Sequence, residues 1–220
     1  MSIFKYLAKE EYALDLLEKG LVRFSTLASF RAYEDGLVRG DPDDGKLHYK
    51  PTGGLTITKQ NGEVLHLDQR FRASVRASDI YVYCMSNQLS GELAAKFESP
   101  YCVEFERPIG LIGRIRQCVR MRSALDHNNL HSRTVDYRPV GTEPGIDWAL
   151  PERVAFIKPE AFAWQDEYRI VIGNKGAFDV ENVELALVGE GATTERVDEG
   201  SGSLILKVGN LSRIAKLHKL

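Results

Sequence analysis

The 220-residue chain has only three cysteines, Cys84, Cys102 and Cys118, and no two of them form a C-x-x-C pair. An odd number so placed suits a reducing compartment better than a disulfide framework. Long apolar runs are also missing. No window reaches the ~18 apolar residues of a membrane span. The opening Met1–Tyr6 turns charged by Lys9 and lacks the unbroken apolar stretch of a signal peptide. We therefore expect a soluble, cytoplasmic protein with no membrane partner. Nor is there an excess of one charge: 29 Lys and Arg face 31 Asp and Glu, a net charge of −2. That balance excludes a protein that coats duplex nucleic acid by positive charge alone, and leaves room for a local basic patch. Internal repeats and low-complexity tracts are absent.

What is present is an ordinary globular composition, 43% hydrophobic and 27% charged. The length predicts a single domain over residues 1–220. Ile3–Leu7 reads as a strand, Ala8–Lys19 as a helix ended by Gly20, and Leu21–Ser25 as a second strand followed by a short helix or turn over Thr26–Tyr33. Glu34–Gly54 holds many of the Gly, Pro and Asp residues and is expected to be a loop. Asn61-Gly62 between Leu55–Lys59 and Val64–Leu67 predicts a hairpin, because both turn positions need positive φ. Further strands are expected at Ile80–Ser86, Tyr101–Glu106, Thr134–Arg138, Phe162–Ile172, Val183–Val188 and Leu204–Val208, with Ile214–Leu217 a candidate for one more. Pro108–Arg122 fits both a helix and an alternating strand. Gly189–Ser203 reads as an exposed loop. The sum is an α+β fold with a mixed or mostly antiparallel sheet of about six to nine strands and a few helices.

Phe162–Ile172 carries the most chemistry. As a strand it places Trp164, Tyr168, Ile170 and Ile172 on one face and Gln165, Glu167 and Arg169 on the other. The ordinary reading of that polar row is the wet face of an antiparallel sheet. The functional reading is a cleft-lining carboxylate oriented by its neighbouring amide and guanidinium. Lys5-Tyr6 and Arg23–Thr26 are polar residues at strand ends, which line sites in layered folds or cap the next helix; for Ser25 the expected role is capping. Arg107, Arg114, Arg116, Arg120 and Arg122 have no acid between Arg107 and Asp126. They read as a solvated basic face, or as a site for pyrophosphate or single-stranded nucleic acid.

Other signals lead nowhere. Asp41–Gly45 has the wrong spacing for a calcium loop, with Thr52 at the position of the bidentate acid. His127 and His131 flank Asn128-Asn129, which favours a loop over a metal-binding helix, so no metal is expected. Gly189–Gly191 and Gly200–Gly202 are flanked by acids that repel phosphate. No local spacing assembles a hydrolase triad.

The order of the segments Phe4-Lys5-Tyr6, Phe24-Ser25, Phe30–Glu34, Cys84-Met85-Ser86, Cys102–Phe105, Val135-Asp136-Tyr137, Lys158-Pro159 and Trp164–Arg169 resembles a bacterial and phage family known only as a numbered domain of unknown function. The resemblance spans most of the chain. Arg31-Ala32 stands where that family has Asn-Asp, and Gln165 where it commonly has an acid. The sequence is also similar, in outline, to ADP-ribosyltransferases. These enzymes place a basic residue on a first strand, Ser or Tyr on a second, and Glu in an E/Q-x-E pair on a late strand. Lys5, Ser25 and Gln165-Asp166-Glu167 occupy that order here.

That similarity implies NAD as ligand, with Glu167, Gln165 and Ser25 as catalytic residues and Lys5, Tyr6 and Arg169 holding the cofactor. A fixed carboxylate would stabilise the oxocarbenium character of a breaking nicotinamide–ribose bond. The alternative expectation is a non-catalytic module in phage–host conflict. It would recognise nucleic acid or a protein partner through Arg114, Arg116, Arg120 and Arg122.

Overall fold

The computed structural model describes residues 2–31, 44–50, 55–67, 69–139, 141–143, 145–188 and 202–220. Its first strands are β1 (Ile3–Leu7), β2 (Leu21–Thr26), β3 (Lys46–Tyr49), β4 (Leu55–Thr58), β5 (Val64–Leu67), β6 (Arg70–Val75) and β7 (Ile80–Ser86). They continue with β8 (Tyr101–Phe105), β9 (His131–Thr134), β10 (Asp136–Arg138), β11 (Ile157–Pro159), β12 (Glu167–Gly173), β13 (Val183–Val188), β14 (Ser203–Lys207) and β15 (Ala215–Lys219). The α-helices are α1 (Glu10–Leu14), α2 (Leu27–Arg31), α3 (Gly91–Lys96), α4 (Pro108–Arg120) and α5 (Pro151–Val154). The fold is α+β and mostly antiparallel, as composition and patterning predict.

Eight strands make one antiparallel sheet, in the order β14-β2-β7-β1-β8-β15, with β12 on the other edge of β7 and β9 beyond it. β12 runs along the whole of β7, from Glu167 opposite Ser86 to Gly173 opposite Ile80. The opposite edge of β7 is shared. β2 pairs only with its start, Ser25 opposite Val82 and Thr26 opposite Tyr81, and β1 touches only its end, Phe4 opposite Ser86. Between these two contacts the sheet is split. β1 and the strand carrying Glu167 therefore belong to one sheet, both beside β7. β13-β6-β3, the hairpin β4–β5 and the parallel pair β10–β11 form three smaller sheets.

Strand alternation puts a separate core on each face. On one face Ile3, Val22, Phe24, Tyr83, Val103, Phe105, Ile170 and Ile172 pack under Leu111, Ile115 and Val119 of α4. On the other, Ile80, Val82 and Val171 pack against Leu27 and Ala28 of α2, Ala73 and Val75 of β6, and Val154 to Ile157.

Local chemistry explains where elements begin and end. Pro108 starts α4 at a position where its missing N–H costs nothing, so the helical reading of this ambiguous stretch holds. The first helix is shorter than expected. α1 passes at Asp15 into a π turn, Asp15–Lys19, which Gly20 ends at φ +65°. A Cβ on Gly20 would stand 2.1 Å from the Gly209 carbonyl oxygen, so both conformation and space demand glycine. The hairpin forms, but not through a two-residue turn: its loop closes with the Lys59 amide on the Glu63 carbonyl, and of Asn61-Gly62 only Gly62 takes positive φ, +82°.

Two expected strands are broken. Thr134–Arg138 divides at Val135, its halves serving different sheets. Phe162–Gln165 is a 3₁₀ turn (Glu160–Gln165), and Asp166 at φ +42° separates it from β12. Ala32–Gly40, most of the Asp41–Gly45 motif and the Gly189–Ser201 stretch lie outside the described residues. No helix among the described residues is long and apolar enough to cross a membrane.

Candidate functional site

The split beside β7 opens a cleft of about 510 Å³. Its floor is the β7 edge, Val82 to Ser86. One wall carries Gln165, Glu167 and Arg169, and the other carries Lys5 and Tyr6 from β1 with Arg23 and Ser25 from β2. All six residues expected at a catalytic or cofactor site, Lys5, Tyr6, Ser25, Gln165, Glu167 and Arg169, line this one cleft. They come from three strands and one turn, far apart in sequence.

The polar row is not a wet sheet face. Gln165 is 3% exposed, Glu167 8% and Arg169 1%. Burial of charge on this scale requires partners, and they are present. Arg169 donates Nε–H to Glu167 Oε2 at 2.7 Å, and both terminal nitrogens to the carboxylate of Asp44 at 2.9 Å. Its Nη1 also donates to the Ala155 carbonyl at 2.7 Å. Lys158 donates to Glu167 Oε1 and to Gln165 Oε1, each at 2.7 Å. The result is a neutral chain of two acids and two cations, Asp44–Arg169–Glu167–Lys158, with Gln165 closing one end. Trp164, by contrast, stands on the 3₁₀ turn with its ring 5.4 Å from Phe97, rather than continuing the Tyr168–Ile172 face.

Burial pushes the Glu167 carboxyl up, but the charges of Arg169 and Lys158 more than reverse this and hold it at about 2, below its ordinary 4.5. The carboxylate is therefore ionised throughout the neutral range. Because the folded value is depressed, this group contributes stability that is complete above about pH 4.5 and lost as pH falls towards about 2. We expect the thermal midpoint to fall across that window, and Lys158→Met to shrink the acid-dependent part. A midpoint flat from pH 5 to pH 2.5 in calorimetry would contradict this linkage.

Each remaining residue has a local role. Lys5 donates to the Cys84 carbonyl at 2.8 Å, satisfying a β7 acceptor that the split leaves without a strand partner. Its ammonium lies 4.7 Å from the Tyr83 ring centroid. The Tyr6 hydroxyl accepts from the Ser90 amide at 2.7 Å and donates to the Gln88 carbonyl at 2.9 Å, and its ring packs on Phe97. Ser25 does not cap α2, contrary to expectation. Thr26 Oγ1 accepts the Ser29 amide instead, because Ser25 faces the opposite side of β2. Ser25 is thereby left in the cleft. Burial and the Glu167 charge push the Cys84 thiol up to about 12, so it is no thiolate nucleophile at neutral pH.

Asp166 aligns the wall. Its left-handed backbone is held by Asn87, whose side-chain amide donates to the Asp166 carbonyl at 3.1 Å and to its carboxylate at 2.9 Å. Residues just before and after it thereby both enter the cleft.

The four arginines stand elsewhere. Arg114, Arg116 and Arg120 lie on α4 and Arg122 just beyond it, and none lines the cleft. Arg114 donates to the Asn210 carbonyl and Arg122 to the Ile205 carbonyl. Arg116 and Arg120 are exposed, one turn apart.

Sequence reasoning missed Lys158 and Asp44 as site residues. A lysine directly after Ala155-Phe156-Ile157 is a signal in itself, since a cation in an apolar run needs a buried acid. Asp44 sits in a segment that reads as a failed calcium loop, and no local feature points to Arg169. Among the described residues no group of His, Cys, Asp and Glu could hold a metal ion. Comparison with protein-family profiles, curated proteins and solved structures finds no match.

Proposed function

We propose that the chain transfers ADP-ribose from NAD, with the β1–β2 cleft as the NAD site and Glu167 as the catalytic carboxylate. The observation that carries this reading is the convergence of Lys5, Ser25, Gln165 and Glu167 on one cleft. Its volume suits a nucleotide, within the roughly 300–1,000 Å³ of small-molecule sites. In the reaction the nicotinamide leaves with the electron pair of its bond to ribose C1′, and an acceptor oxygen or nitrogen forms the new bond and releases its proton. Glu167 is ionised and fixed, so its charge opposes the positive charge developing at C1′ without reorganisation. Arg169 and Lys158 hold it in place. Gln165 orients the acceptor, and Ser25 and Tyr6 contact the bound ligand from the facing wall. The test is incorporation of labelled ADP-ribose from NAD into cell extract, with calorimetry for NAD binding. Absence of both in wild-type protein would refute the reading.

A second reading, a binding module for single-stranded nucleic acid, is favoured by one observation. Both Glu167 oxygens already accept from buried cations, while Arg116 and Arg120 project from α4 into solvent. On that reading, retention on single-stranded DNA or RNA falls steeply with salt, and Arg116→Gln with Arg120→Gln flattens the slope by about 1–2 units. No retention at low salt leaves these arginines as a solvated face.

A further inference from the structure

We infer that Arg23 is the phosphate-binding residue of the cleft, holding the diphosphate of a nucleoside-diphosphate ligand across the split. The inference rests on the nucleotide reading above and assigns one part of that ligand to one side chain.

Ser25 pairs with Val82 and Thr26 with Tyr81, so continuing the ladder sets Phe24 level with Tyr83 and Arg23 level with Cys84. The Phe24 and Tyr83 rings, 5.6 Å apart on the core face, agree with that register. Arg169 pairs with Cys84 from the other side. By alternation Arg23 shares a sheet face with Ser25, as Arg169 does with its partner Cys84, and Arg23, Cys84 and Arg169 all line the cleft. Strand alternation sends Leu21, Arg23 and Ser25 together into the cleft, and all three line it.

Charge then distinguishes Arg23 from the other cations. Arg169 and Lys158 are neutralised by Asp44 and Glu167. The Lys5 ammonium is engaged at the Cys84 carbonyl. Asp15, an acid of the cleft lining, is paired with Lys19 at 2.6 Å. Arg23 is exposed and forms no ion pair among the described residues. Its cross-strand neighbour on β14 is Ile205, which offers a hydrocarbon surface for the arginine stem and no countercharge. A planar guanidinium in this position suits two phosphate oxygens at once.

The test is calorimetric titration of wild type and Arg23→Ala with ADP-ribose, with adenosine as the phosphate-free control. Because Arg23 is exposed and makes no hydrogen bond or ion pair among the described residues, the variant should melt like wild type. We expect ADP-ribose affinity to fall by about 10- to 100-fold, adenosine binding to be unchanged, and the salt dependence of ADP-ribose binding to weaken. Arg23→Lys should recover part of the loss, because it keeps the charge but not the fork. In turnover with NAD, Arg23→Ala should raise KM far more than it lowers kcat. Equal ADP-ribose affinity in wild type and Arg23→Ala overturns this assignment and leaves the nucleotide reading standing. No ADP-ribose or NAD binding by wild type overturns both.

Discussion

Glu167→Gln should abolish ADP-ribose transfer while NAD still binds. The amide keeps the shape of the side chain and removes the charge that, in the proposed transfer, opposes positive charge at ribose C1′. Loss of a preorganised electrostatic partner typically costs on the order of 10²–10³ in rate. The substitution also reaches the fold, because Glu167 lies between Lys158 and Arg169 in a buried chain of charges. Breaking a buried pair from one side costs about 3–5 kcal/mol, so the single variant should melt early as well as lose activity. The two effects can be separated. Lys158→Met together with Glu167→Gln removes one cation and one anion, leaving Asp44 and Arg169 as an intact neutral pair. That double variant should recover much of the thermal midpoint and remain inactive. Transfer by the folded double variant at a rate near wild type would remove Glu167 from the chemistry and favour the binding-module reading.

How far this site could be read from sequence depends on the range over which each property is decided. Alternation is local, so Glu167 and Arg169 are assigned to one face and Tyr168, Ile170 and Ile172 to the other before any fold is known. Whether the polar face meets water is decided elsewhere. The second face of an antiparallel sheet is wet by default. Here α2, β6 and the Val154–Ile157 segment cover part of it, and Asp44 and Lys158 supply the countercharges. Asp44 is separated from Arg169 by 125 positions, and nothing in either neighbourhood announces the pairing.

The split is similarly long-range. Each strand of β1, β2 and β7 is predictable by itself, but their unequal sharing of one β7 edge belongs to the assembled sheet. Asp166 defeated the strand reading for a local reason: left-handed conformations in non-glycine residues are uncommon, and an Asp between Gln and Glu carries no sign of one. The cleft also gathers residues from segments that sequence alone leaves unconnected. Tyr6, Ser86, Tyr137, Lys158 and Glu167 lie in separate stretches of the chain. Tyr6, Ser86, Lys158 and Glu167 line the cleft, and the Tyr137 hydroxyl accepts the Glu167 amide at 2.9 Å.

Arg169→Met should be the most destabilising single substitution in the chain of buried charges. The guanidinium is 1% exposed and joins both acids to each other and to the Ala155 carbonyl. Methionine fills similar space but leaves the Asp44 carboxylate buried without its cation, and Glu167 with Lys158 alone. We expect a loss of about 3–5 kcal/mol, read as a lower denaturant midpoint with little change in slope. Adding Asp44→Asn to Arg169→Met removes the stranded charge, so the pair should be less destabilising than the sum of the two singles. A coupling of roughly 1–3 kcal/mol is expected in that cycle. The Asp44–Arg169 contact also ties the start of β3 to β12, so the cycle measures how firmly the small β13-β6-β3 sheet is anchored to the large one. Additive effects within about 0.5 kcal/mol would mean that the two residues act independently, and the continuous chain from Asp44 to Lys158 would not exist in solution.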